Sequence, residues 1–218
     1  MKKLLIPLLC VTAVRFACAD DVAVLSIEFP KEKHPRQAVF EFHDAEAPLT
    51  VENFKRLAKK KFYKGVAFHR VFPHALVQTG DPQSKKEKYR ARTGTGGPGY
   101  TLPPEIKGRH AAGAVAMVRL PDKLNPSRRS NGSQFFICLK PMPEYDGKYT
   151  VFGHVIGGMD VLDQISELPV DSNDNPTQRV VIRSIKIEPR EKVELSPPKI
   201  DETKKSSESF WQRLWKKF

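Results

Sequence analysis

The sequence predicts a mainly β domain with an antiparallel sheet, on three observations. Short runs of alternating or wholly apolar residues recur along most of the chain. Between residues 20 and 188 only two stretches show helical spacing. Strands and helices never alternate in the rhythm that a parallel sheet requires. A closed antiparallel barrel is one way to hide the edges of so many short strands.

The elements follow in order. Residues 23–29 alternate and read as a strand, 30–36 as a turn, and 38–42 as the returning strand of a hairpin. A helix comes next. Val51, Phe54, Leu57 and Ala58 recur at helical spacing, and Thr50 is the expected N-cap. Residues 66–72 and 75–79 are apolar runs split by Pro73. Residues 81–110 are dense in Gly and Pro and predict a long irregular loop. Residues 112–118, 134–139 and 150–156 predict further strands, residues 160–168 a short amphipathic helix, and residues 180–187 a closing strand.

The termini differ in character from this body. Lys2-Lys3, an apolar run from Leu4 to Val14, and Ala17-Cys18-Ala19 fit a secretory signal peptide over residues 1–19. Lipidation at Cys18 is the alternative, and Arg15 fits a lipobox poorly. The domain is then expected over residues 20–188, exported to a periplasm or secreted. Residues 189–208 hold Pro, Ser, Lys and Glu without an aromatic and predict a disordered linker. Residues 209–218 predict a basic amphipathic helix. In it Phe210, Trp211, Leu214, Trp215 and Phe218 share an arc of about 140°. Such a helix suits a membrane surface or a partner protein.

Composition limits the chemistry. The net charge is +12, and removal of residues 1–19 takes Lys2, Lys3 and Arg15 and no acid, leaving +9. The cations are scattered and no nucleic-acid-binding motif accompanies them, so no nucleic acid partner is expected. A monomer is expected. Beyond residue 19 only Cys138 remains, within Phe135-Phe136-Ile137-Cys138-Leu139, and it reads as a buried small hydrophobe. The six histidines lack metal-site spacing, so no metal or cofactor is expected. Gly94-Thr95-Gly96-Gly97 lacks the Lys-Ser/Thr of a phosphate loop, and Gly132-Ser133 lacks the frame of a nucleophile elbow.

Two segments carry the functional signal. Phe68-His69-Arg70-Val71-Phe72-Pro73-His74-Ala75-Leu76-Val77-Gln78-Thr79-Gly80-Asp81 sets one arginine between apolar runs, with a glutamine eight residues on. Asn131-Gly132-Ser133-Gln134-Phe135-Phe136-Ile137 adds a second glutamine beside two phenylalanines. A lone cation beside an apolar pocket suits a reaction that needs no nucleophile. Prolyl isomerisation is one: amide resonance opposes rotation by about 18–20 kcal/mol. Favouring the twisted amide over both planar forms is enough to speed it. By itself an arginine here is most often a surface ion pair.

With Gly94-Thr95-Gly96-Gly97 between them, these segments resemble the cyclophilin family of peptidyl-prolyl cis-trans isomerases, in its bacterial-type, exported form. The match runs over residues 22–188. The resemblance implies an eight-stranded closed antiparallel barrel capped by two α-helices, and proline-containing polypeptides as clients. It implies Arg70 as the catalytic donor to the prolyl nitrogen and Gln78 as the residue that steadies it. It implies Leu76 and Phe136 in the proline pocket, with Tyr145 and Tyr149 beside them. Gln134 and the Val118-Arg119-Leu120 backbone would hold the client chain. His69 is expected on the opposite strand face from Arg70. Four departures stand out, one of them Tyr149 in place of a common histidine. Ala75 replaces a pocket phenylalanine and would enlarge the pocket; Glu144-Tyr145 replaces a tryptophan-leucine pair; and residues 120–130 form a longer loop. A catalytically weak module that binds proline segments is the alternative function.

Overall fold

Alternate residues of a strand face opposite sides of a sheet, and here the central strands β4, β6 and β8 are buried on both faces. The computed structural model describes residues 20–195. Its strands are β1 (Asp21–Glu28), β2 (Arg36–Phe42), β3 (Arg70–Phe72), β4 (Leu76–Thr79), β5 (Thr101–Leu102), β6 (Ala114–Met117), β7 (Ser130–Asn131), β8 (Phe135–Cys138), β9 (Val151–Gly157) and β10 (Val181–Pro189). Two α-helices, α1 (Pro48–Lys59) and α2 (Met159–Ser166), complete the set together with short 3-10 turns. The signal-peptide reading of residues 1–19 and the helix reading of residues 209–218 lie outside the described residues.

Eight strands form one antiparallel sheet in the order β10-β1-β2-β9-β6-β8-β4-β3, while β5 and β7 pair separately. The sheet curls but stays open, which corrects the expectation of a closed barrel. Among the described residues the edge strands β3 and β10 share no ladder. Instead the segment before β3 bridges the gap. Gly65 N–H donates to Ile182 O at 2.8 Å, Ile182 N–H to Val66 O at 2.8 Å, and Phe68 N–H to Val180 O at 3.0 Å. Past that point β3 turns away, and Val71 N–H donates to Asp174 O at 3.0 Å. The 171–175 loop thus occupies the edge that a closed barrel would pair.

The core lies inside the curl. Phe54 of α1 is its centre, with the rings of Phe40, Phe42, Tyr63, Phe135 and Phe152 all within 5.9 Å of it, centroid to centroid. Complete burial pushes the Tyr63 phenol well above its ordinary range. Helix α1 packs against β9 and β10, and α2 against β2, β3 and β4. Gly158 opens α2 at φ +79°, where a Cβ would lie 2.3 Å from Gln37 O, so only glycine fits this entry to the helix.

Some local expectations change. Ala47, not Thr50, is the N-cap of α1, and Pro48 takes the first helical position. The exposed amides of the first turn turn instead to Glu105, which accepts from Leu49 N–H, Thr50 N–H and Thr50 Oγ1. Of the apolar run over residues 66–72, only the three residues of β3 form a strand. The expected linker starts too early. β10 runs to Pro189, Arg190 N–H donates to Asp20 O at 2.9 Å, and Leu195 packs on Gly157.

Candidate active site

Strand register assembles the site. Arg70 of β3 lies opposite Gln78 of β4, Gln78 opposite Phe136 of β8, and Phe136 opposite Ala116 of β6. Directly opposed residues share a face, so these four form one row across the outer face of the sheet. A second row, Phe72–Leu76–Cys138, runs beside it. Leu76, Phe136, Cys138, Ala114, Ala116, Met142 and Val151 pack together as a cluster separate from the main core, with Phe72, Val118, Tyr145 and Tyr149 at its edge.

Phe136 is the floor. It is 4% exposed, and Tyr145 and Tyr149 stand edge-on to it at 5.8 and 5.6 Å. Beneath, the His110 ring stacks on Phe136 at 6.0 Å and 10°. Asp146 fixes that ring: its Oδ1 lies 3.0 Å from His110 Nδ1 and accepts His110 N–H at 2.7 Å. Those bonds hold the Asp146 carboxyl below the usual carboxylate range. Burial, together with Tyr149 and Glu144, pushes the Tyr145 phenol up, and the Arg70 charge opposes the shift. Burial likewise drives the Cys138 thiol up to about 12, as an inert apolar side chain requires.

Arg70 is the accessible cation of the row. Its side chain is 50% exposed, its guanidinium lies 4.8 Å over the Phe72 ring, and its one ion pair is a long 3.4 Å contact from Nε to Asp174 Oδ2. Exposed pairs of this kind hold a side chain weakly. The surface ion pair expected of an isolated arginine is therefore present, and it leaves the charge available.

The two glutamines differ from expectation. Gln78 faces Arg70 across the ladder, but its amide serves the interior. Nε2 donates to Gln134 Oε1 at 3.0 Å and lies 3.3 Å from His69 Nε2. Gln134 is fully buried, and its Nε2 donates to Gly94 O and Gly96 O at 3.0 and 2.8 Å. Gln134 thus braces the cleft from beneath, with both Nε2 hydrogens on the glycine loop and Oε1 accepting from Gln78. The glycine loop it holds is also tied by Asp81, whose Oδ2 accepts from Gly94 N–H and Gly96 N–H. Any Cβ at Gly96 would strike Asp81 Oδ1 at 2.1 Å. His69, expected on the opposite strand face from Arg70, is buried and touches Gln78. Its burial lowers the imidazole below its ordinary range.

Val118 has both backbone groups engaged, its N–H with Gln134 O and its carbonyl with Asn131 N–H. The expected client-binding edge therefore begins at Arg119 and Leu120. Leu120 is 59% exposed. Ala75 lies in the turn between β3 and β4, half-buried, with its carbonyl accepting from Leu139 N–H at 2.8 Å. Phe72, which the sequence reading missed, supplies the aromatic ring on that side. His110 and Met142 were also missed. Each lies in a loop, and no local pattern marks a loop residue as pocket lining. The turn itself is tied to α2, since His74 Nδ1 and Nε2 lie 2.8 and 3.4 Å from Asp163 and Glu167. Each ring nitrogen faces its own carboxylate, and one donor atom from each of the three residues lies within 4.8 Å of the others.

Comparison with known proteins identifies the family. The family described as "Cyclophilin type peptidyl-prolyl cis-trans isomerase/CLD" matches residues 30–187. A "Peptidyl-prolyl cis-trans isomerase-like 1" of Aspergillus niger is 37% identical over 156 residues, 67% of this chain and 86% of that protein. "Peptidyl-prolyl cis-trans isomerase B" of Bacillus subtilis is 41% identical over 130 residues, 58% of this chain and 81% of that protein. A crystal structure of a cyclophilin type isomerase of Cryptosporidium parvum, determined in the presence of the dipeptide Ala-Pro, superposes with a TM-score of 0.64 at 26% identity, covering 77% of this chain and 98% of that one. The chain belongs to the cyclophilin-type peptidyl-prolyl cis-trans isomerase family.

Proposed function

We propose that this member of the cyclophilin family is a peptidyl-prolyl cis-trans isomerase that works through Arg70 and the Phe136 pocket. The row Arg70–Gln78–Phe136 carries the reading, because it sets an accessible guanidinium beside an aromatic pocket. The proline ring seats on Phe136 between Tyr145 and Tyr149, with Leu76 and Phe72 on the other side. As the amide twists, its nitrogen regains a lone pair. Arg70 leaves Asp174 and donates to it, stabilising the twisted state more than either planar one. The Arg119–Leu120 backbone supports the client chain. A proline tetrapeptide assay is the test: wild-type protein accelerates cis-to-trans exchange, and a folded protein with no acceleration would refute the assignment.

The same proposal places the enzyme outside the cytoplasm, assisting exported proteins. The charged start, short apolar run and Ala17-Cys18-Ala19 support it. Mass spectrometry of the mature chain should find a start near Asp20, and a Met1 start in the final compartment would contradict export by cleavage. The aromatic and basic residues of 209–218 support attachment to an anionic bilayer. Co-sedimentation with anionic liposomes should fall when the chain ends at Glu208, and equal sedimentation would rule the attachment out.

A further inference from the structure

We infer that Arg119 is a positioning residue, whose side chain fixes the Tyr149 ring at the proline pocket and pins the 120–128 loop beside it. The inference rests on the isomerase reading of that pocket. It starts from an anomaly of burial. The Arg119 side chain is only 5% exposed, although the residue as a whole is half-buried. Exposure lies on the backbone, and the charge is turned under. A buried charge must be compensated by partners, and Arg119 has several. Nε donates to Lys148 O at 2.6 Å, and Nη1 donates to Leu120 O at 3.0 Å and to Asp122 Oδ1 at 2.5 Å. The guanidinium carbon lies 4.9 Å over the Tyr149 ring, within the range of a cation–π contact.

A second arginine completes the seam. Arg128 Nη2 donates to Asp122 Oδ2 at 3.1 Å, and Nη1 to Gly147 O at 3.0 Å. Two arginines and one carboxylate therefore sew the long loop to the 147–149 turn, which carries Tyr149 to its place 5.6 Å from Phe136. Arg119 and Arg70 take opposite roles. Arg70 has a long ion pair, a ring contact with Phe72 and a half-exposed side chain, as a donor to substrate needs. Arg119 has Nε and Nη1 engaged with protein and its side chain buried, so it acts through the ring it holds. Lysine cannot replace it fully, because one ammonium cannot span a fork of carbonyls and a carboxylate.

The test is steady-state isomerisation of a proline tetrapeptide by the mature full chain, with Arg119→Ala, Arg119→Lys and Asp122→Asn, and melting of each variant followed by circular dichroism. Arg119→Ala should raise KM on the order of tenfold with kcat within about twofold, the pattern of lost binding rather than lost chemistry. Arg119→Lys should fall between, retaining charge over the ring, and it carries the test if the alanine variant does not fold. Asp122→Asn should raise KM by less than Arg119→Ala, since the ring contact survives. In wild type the Tyr149 ring protons should show restricted ring flipping by NMR, which Arg119→Ala relaxes. A folded Arg119→Ala with unchanged KM, or with kcat reduced as much as kcat/KM, would overturn the inference and leave the isomerase reading intact. A wild type that neither turns over nor binds the peptide would remove the pocket reading, and the inference would fall with it.

Discussion

The two faces of β3, β4, β8 and β6 are built from neighbouring residues yet have different tasks. On the inner face Val71, Val77, Ile137 and Val115 are all at most 1% exposed and aliphatic. On the outer face Arg70, Gln78, Phe136 and Ala116 mix a cation, an amide and an aromatic. The two sets alternate along the same strands. A period of two thus places chemistry one residue away from the packing that supports it. Mutations on the inner face should alter stability, and those on the outer face catalysis.

Phe136 is where that separation breaks down, and Phe136→Ala should have the largest effect. The ring is both pocket floor and cluster centre. Its loss should cost about 3–5 kcal/mol of stability and abolish measurable proline binding. A variant with normal denaturant midpoint and normal KM would refute both roles.

Arg70→Ala should sharpen the comparison most cleanly. Turnover should fall on the order of 10²-fold, the scale for losing one electrostatic stabiliser. The melting temperature should barely move, because the side chain is half exposed. A folded mutant with full turnover would remove Arg70 from the reaction. The inner-face counterpart is Ile137→Val. It should cost about 0.5–1.5 kcal/mol with kcat/KM unchanged, and a comparable loss of activity would show that the faces are coupled.

His69 sits between the faces, and acid should expose it. Burial lowers its folded-state pKa below the unfolded 6.5. Below pH 6.5 the unfolded chain takes up a proton that the folded chain resists, so stability falls as pH drops. The slope from this group is at most about 1.4 kcal/mol per pH unit. Urea melts at pH 7.5 and 5.5 should show the loss, and His69→Gln should reduce it. An identical pH dependence in the variant would exclude His69 as its source.

The smallest effect concerns Ala75. Ala75→Phe should tighten proline-peptide binding a few-fold if the turn leaves room in the pocket. Weaker binding at unchanged stability, measured by peptide titration, would show that Phe72 already fills the space.

Much of this was legible from residue order alone. Alternating and wholly apolar runs located most of the strands of the main sheet, and the helical spacing of Val51, Phe54, Leu57 and Ala58 placed α1, because period and burial are local consequences of backbone geometry. The Arg70 and Phe136 segments were recognisable because the reaction needs few groups and each sits in a compact motif. What folding alone decided is non-local. Glu105 reaches α1 across about fifty residues to take the role expected of Thr50. Asp174 captures the β3 edge and keeps the sheet open. Gln134 turns inward because its carbonyl partners come from the glycine loop. His110 finds Phe136 only through the fold, and Arg119 finds Tyr149 in the same way. Hydrogen-bond satisfaction and ring packing are set by which side chains arrive together, and a linear pattern carries no record of that meeting.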